Sequence, residues 1–164
     1  MESIYLVGFM GSGKSTIGKQ LAKKLNLLYI DMDEQIEQTT KKQIKTIFAE
    51  EGEQAFRDIE HKILTETPKQ GYVVSTGGGI IERKENRQWL LNKQVVYLNT
   101  SWDTIKNRLA HDQSRPIWQD QSKDKQLLMQ SRDPKYREIA KIIVNTDQRS
   151  IDQIVAEINL HLHK

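Results

Sequence analysis

Gly8-Phe9-Met10-Gly11-Ser12-Gly13-Lys14-Ser15 stands between an apolar tetrapeptide, Ile4-Tyr5-Leu6-Val7, and an amphipathic stretch. A glycine-rich loop that ends in Lys-Ser, entered from a strand and left through a helix, is the setting of a P-loop. Its glycines let the backbone wrap a phosphate with amide N–H groups turned inward. The helix that follows adds the positive end of its dipole. Gly11, Ser12, Gly13, Lys14, Ser15 and Thr16 are therefore the expected phosphate cradle. The Lys14 ammonium is long enough to reach β- and γ-phosphates, and the Ser15 hydroxyl suits Mg²⁺. A mere glycine turn would not require these flanks. The expected ligand is ATP or GTP.

The chain has 164 residues, a length that suits one domain with a sizeable core. Hydrophobic residues make up 37% and charged residues 29%, the balance of an ordinary globular protein. Cysteine is absent, which excludes disulfide and thiolate chemistry and fits a cytoplasmic protein. The N-terminus does not read as a signal peptide, because the phosphate loop begins within its first residues. No apolar run approaches the roughly 20 residues of a membrane span. Net charge is +3, but no basic block stands alone and none is interleaved with aromatics, so nucleic-acid binding is disfavoured. His61, His111, His161 and His163 lack zinc-ligand spacing and read as solvated surface groups.

Working outward from the loop, short apolar runs at 4–7, 27–30, 72–74, 95–98 and 142–144 read as buried strands. Helical patterns lie between them. Ile17, Leu21 and Leu25 share one face, and Phe56, Ile59 and Ile63 another. Ile151, Ile154, Val155, Ile158 and Leu162 form a third near the C-terminus. Such alternation predicts an α/β fold, a parallel sheet covered by helices on both faces. Residues 111–125 are polar, contain Pro116 and lack apolar periodicity. A segment of this length is either a plain insertion or a lid over a nucleotide site.

Ligands of open parallel sheets bind beyond the carboxyl ends of the strands. Asp31-Met32-Asp33 follows the run at 27–30, so one carboxylate is available for a metal and the other for a second task. Asp33 reads equally well as an N-cap for a helix starting at Glu34. Gly77-Gly78-Gly79 follows the next strand and offers exposed amides, or only a flexible turn. Arg57 lies at the edge of the Phe56 face, where a solvated arginine is the ordinary reading. Arg132 precedes Pro134, which is expected to break a helix.

Taken together and in order, these elements resemble the shikimate kinase family over nearly the whole chain. The shared set is the loop at 8–16, Asp31-x-Asp33, Phe56-Arg57-x-x-Glu60, Gly77-Gly78-Gly79, Arg115-Pro116 and Arg132-x-Pro134-x-Tyr136. Lys135 stands where the family usually has leucine, and Ile151 where a proline is common. The resemblance implies a three-layer αβα P-loop kinase with a five-stranded parallel sheet of order 2-3-1-4-5. It also implies one domain over residues 1–164, a lid at 111–125 and a mobile substrate-binding helical region at 33–61.

The resemblance further implies transfer of the γ-phosphoryl of ATP to the 3-hydroxyl of shikimate, a step towards chorismate and the aromatic amino acids. Lys14, Asp33 and Arg115 would be catalytic. Asp33, Arg57, Gly78, Gly79 and Arg132 would hold shikimate, its carboxylate paired with the two arginines. Arg108, Arg115 and Arg149 would join the phosphate loop in binding nucleotide. Ser15, and Asp31 through water, would bind Mg²⁺. A monomer acting on ATP and shikimate is expected, with no nucleic acid or membrane as partner.

Two other readings compete. One is a different small-molecule kinase on this fold, acting on gluconate or a nucleoside monophosphate. The other is a nucleotide-binding module without turnover. The presence of Lys14, Ser15, Asp31, Asp33, Arg57, Arg115 and Arg132 together argues against the second.

Overall fold

The computed structural model describes residues 1–110 and 122–164. Five parallel strands form one sheet of order β2-β3-β1-β4-β5. They are β1 (Ile4–Val7), β2 (Leu28–Asp31), β3 (Tyr72–Ser75), β4 (Gln94–Asn99) and β5 (Ile142–Asn145). Seven helices lie among the described residues: α1 (Lys14–Leu25), α2 (Met32–Thr40), α3 (Ile44–Thr65), α4 (Lys84–Leu90), α5 (Trp102–Leu109), α6 (Ser122–Ile139) and α7 (Ile151–Leu162).

The alternation along β1 explains the layers. Successive strand side chains point to opposite faces. Ile4 and Leu6 enter a core with Ile17 and Leu21 of α1 and Ile154 and Ile158 of α7. Tyr5 and Val7 enter the other, with Ile36, Ile47 and Ile63 of α2 and α3 and Tyr136 of α6. A strand buried on both sides has no polar face, which is why β1 reads as a continuous apolar run.

Several expectations are corrected. The strand placed at 27–30 runs from Leu28 to Asp31, and Leu28 is 62% exposed. β2 and β5 are edge strands, so neither is as buried as its apolar run suggests; Ile143 is also exposed. Ile151 leaves the apolar face of α7 and opens to a cleft. Pro134 does not break its helix: α6 continues to Ile139 with the proline inside. Burial of Arg132 and Tyr136 on either side of it holds the helical path despite the missing N–H. α3 instead bends at Gly52, whose φ of 88° and ψ of 170° are not helical. Most of the expected lid at 111–125, including Arg115 and His111, lies outside the described residues. His61 is half-buried rather than solvated, its Nδ1 lying 2.6 Å from Asn86 Oδ1.

Candidate active site

At the carboxyl end of β1 the chain enters the phosphate loop. Gly13 holds the N-cap of α1 at φ 94°, a left-handed backbone that favours glycine, and brings no side chain to compete for the helix amides. Lys14 Nζ donates to the carbonyls of Gly8 at 2.7 Å and Phe9 at 3.1 Å, so its ammonium arches over the loop. Ser12 Oγ is buried and has no hydrogen-bond partner among the described residues. Ser75 at the end of β3 fastens α1 to the sheet by donating to Lys14 O at 2.9 Å.

Asp31 closes β2 and divides its two oxygens. Oδ1 accepts from the backbone of Asp33 at 2.9 Å and Glu34 at 3.3 Å, capping α2. Oδ2 accepts from Ser15 Oγ at 3.1 Å. The capping role offered to Asp33 thus belongs to Asp31, because α2 starts at Met32. Asp33 sits in the first helical turn, and its carboxylate turns to the glycine loop instead. A β-carbon on Gly77 would lie 3.2 Å from Asp33 Oδ1 and 3.0 Å from Glu60 Oε2.

The two expected arginines are buried, not solvated. The Arg57 side chain is 9% exposed and donates through Nη1 to Glu60 Oε1 at 2.9 Å. Its guanidinium stacks over Phe56 at 5.2 Å and presses on Gly79. Burial pushes the Glu60 carboxyl up, the Arg57 charge and hydrogen bond hold it back, and the nearby Asp33 raises it further. Arg132 lies over the Phe9 ring at 5.7 Å, with Nη1 3.5 Å from the place of a β-carbon on Gly78. Tyr136, one turn on, donates its hydroxyl to Gly78 O at 2.5 Å.

A cleft of about 340 Å³ runs along these groups. It brings together residues 11–16, Asp31, Asp33 and Gly78 with Arg108 and Arg149. Arg108 donates to Gly11 O at 2.8 Å, and Arg149 donates to Asn145 O at 2.9 Å and pairs with Glu157 at 3.1 Å. Arg57, Gly79 and Arg132 are not in its lining; Arg132 lies against Gly78, which is, and Arg57 against Gly79, the next residue. Among the described residues no cluster of three or more His, Asp or Glu groups could hold a metal. The Ser15–Asp31 oxygen pair does fit Mg²⁺, which uses one or two protein oxygens and completes its shell with water and phosphate.

Reasoning from sequence missed Ser75, Thr76 and Thr146 in the cleft and Glu82 beside Arg132. The hydroxyl residues sit at strand ends, a position that signals a site only once the sheet order is known.

The family model described as "Shikimate kinase" matches residues 10–163. A shikimate kinase of Bacillus cereus (strain AH187) is 44% identical over 159 residues, covering 96% of each chain. One of Thioalkalivibrio sulfidiphilus (strain HL-EbGR7) is 47% identical over 96% of this chain and 85% of its own. A solved shikimate kinase from Acinetobacter baumannii, in complex with shikimate, superimposes with a TM-score of 0.95 at 36% identity. That match covers 99% of this chain and 93% of the other.

Proposed function

The chain belongs to the shikimate kinase family, and we propose that it transfers the γ-phosphoryl of ATP to the 3-hydroxyl of shikimate, giving shikimate 3-phosphate and ADP. The observation that carries this reading is the pairing of Arg57 with Gly79 and of Arg132 with Gly78, beside Asp33, at the end of the phosphate-loop cleft. Two guanidiniums and a carboxylate in one wall match a small acid that also bears hydroxyls. A nucleotide acceptor would need a second phosphate site and a base pocket.

In this mechanism the amides of residues 11–16 and the Lys14 ammonium hold the phosphates, with Arg108 and Arg149 beside the adenine. Arg57 and Arg132 take the shikimate carboxylate, and the amides of Gly78 and Gly79 add donors. Asp33 accepts a hydrogen bond from the attacking hydroxyl and aims it at the γ-phosphorus. As the O–P bond forms, the hydroxyl proton passes to the Asp33 carboxylate and the bond to ADP breaks, while Lys14 offsets the charge gathered on the transferred group. Phosphoryl transfer needs little beyond such positioning and charge stabilisation. Ser15, and Asp31 through water, would hold Mg²⁺, which would supply positive charge against the phosphates. Arg115 joins the set through the resemblance alone.

The same reading takes residues 1–164 as one domain, with 33–61 as the substrate-binding region and 111–125 as a lid. It also takes the enzyme to be a cytoplasmic monomer. No helix among the described residues is long and apolar enough to cross a membrane.

The test is ADP release with ATP, Mg²⁺ and shikimate against a control without acceptor, run beside gluconate and nucleoside monophosphates. Shikimate-dependent release well above every other acceptor is expected. Equal or better release with another acceptor, or nucleotide binding without turnover, overturns the reading.

A further inference from the structure

Arg132 reaches the glycine loop from α6, a long side chain with many rotamers, and something must aim it. Its Nε donates to Glu82 Oε2 at 3.3 Å. The other oxygen of that carboxylate accepts from Lys135 Nζ at 3.0 Å. We propose that Glu82 is a positioning residue for recognition of the acceptor's carboxylate: clamped by Lys135, it takes the Nε edge of Arg132 and turns the remaining guanidinium fork to Gly78. The proposal rests on the reading of Arg132 as a carboxylate ligand.

Three observations support it. First, a guanidinium is planar with donors in a fixed fork, so holding its Nε edge sets the direction of both Nη groups. Nη1 then lies beside Gly78. Second, Glu82 is itself held. Its backbone N–H donates to Gly79 O at 3.1 Å, and its carbonyl accepts from Arg87 Nη1 at 3.1 Å. It therefore moves with the glycine loop rather than with the surface. Third, the charges need Lys135. An Arg132–Glu82 pair alone is neutral and gives an anionic acceptor little attraction. With Lys135 on the same helix face the group carries one net positive charge. Burial pushes the Glu82 carboxyl up, but Lys135 and Arg132 more than offset this and hold it below its ordinary value, ionised at neutral pH.

The experiment compares Glu82→Leu, Glu82→Gln, Lys135→Leu, the Glu82/Lys135 double leucine variant and Arg132→Ala. Steady-state kinetics vary shikimate at saturating ATP, then ATP at saturating shikimate, and thermal unfolding is followed alongside. Glu82→Leu should raise the shikimate KM roughly tenfold, the scale of a lost charge-assisted hydrogen bond. kcat and the ATP KM should stay within about twofold, a split that loss of stability alone would not produce. Glu82→Gln keeps an acceptor and should recover part of the loss. Lys135→Leu should raise the shikimate KM clearly more in the wild-type background than in the Glu82→Leu background. An unchanged or lower shikimate KM in Glu82→Leu overturns the proposal, as does a parallel rise of both KM values. If Arg132→Ala raises the shikimate KM while Glu82→Leu does not, only the positioning role falls. If Arg132→Ala also leaves it unchanged, the carboxylate reading of Arg132 falls too.

Discussion

The Arg57 guanidinium occupies the space that a β-carbon on Gly79 would need, its Cζ only 2.7 Å from that point. The third glycine of the loop is thus the floor on which a buried arginine lies. Gly79 permits the close approach, Glu60 supplies the counter-charge at 2.9 Å, and Phe56 covers one face. The shape of the wall depends on all four residues.

Gly79→Ala should push the guanidinium off this floor. The overpacking costs about 1–3 kcal/mol, and Arg57 would leave its present direction. The shikimate KM is expected to rise about tenfold or more while the ATP KM stays near wild type. An unchanged shikimate KM would show that Arg57 does not need the glycine.

Arg57→Ala removes the partner of a buried carboxylate. Breaking a buried pair from one side costs about 3–5 kcal/mol, so the urea midpoint should fall clearly. Adding Glu60→Gln removes the stranded charge and should restore part of the stability without restoring shikimate binding. A double variant no more stable than Arg57→Ala would contradict this account. Shikimate binding should weaken by roughly 2–4 kcal/mol in Arg57→Ala and in Arg132→Ala, with ATP affinity little changed.

Lys14→Met keeps similar bulk and removes the charge that arches over the loop between the Gly8 and Phe9 carbonyls. Turnover should drop by several orders of magnitude with the unfolding temperature near wild type. Phosphoryl transfer relies on charge and position rather than on covalent chemistry. Near-normal turnover would remove the P-loop lysine from the mechanism.

Glu60 also sets a pH dependence. Its carboxyl is raised in the folded state above its ordinary value of 4.5, by burial first. Between those two values the folded protein binds more protons than the unfolded chain, so this group's contribution to stability declines as pH rises from 4.5 towards the folded value. Glu60→Gln lacks the proton. Wild type should therefore lose stability relative to Glu60→Gln over that interval in urea titrations at stepped pH. A constant difference between the two proteins would rule out the raised carboxyl.

Local spacing carried much of this protein. The phosphate loop, the alternation of strands with helices and the run Asp31-x-Asp33 each lie within a few residues, so backbone geometry links them directly. Sheet order came through the family resemblance and is borne out. Burial could not be read the same way. An apolar run looks alike in the centre and at the edge, and only the order of strands exposes Leu28 and Ile143. Pro134 looked like a helix end because propensity is local, whereas the buried Arg132 and Tyr136 that carry α6 past it act through packing. Glu82 lies 50 residues from Arg132 and Gly79 lies 22 from Arg57. Pairs so distant have no period or spacing to betray them; they meet because β3 and its loop end where α3 and α6 pack. The sequence by itself determined the chemistry available and the element that carries each group. The tertiary structure alone decided which charges are buried together, because burial and pairing depend on neighbours that the chain brings together only on folding.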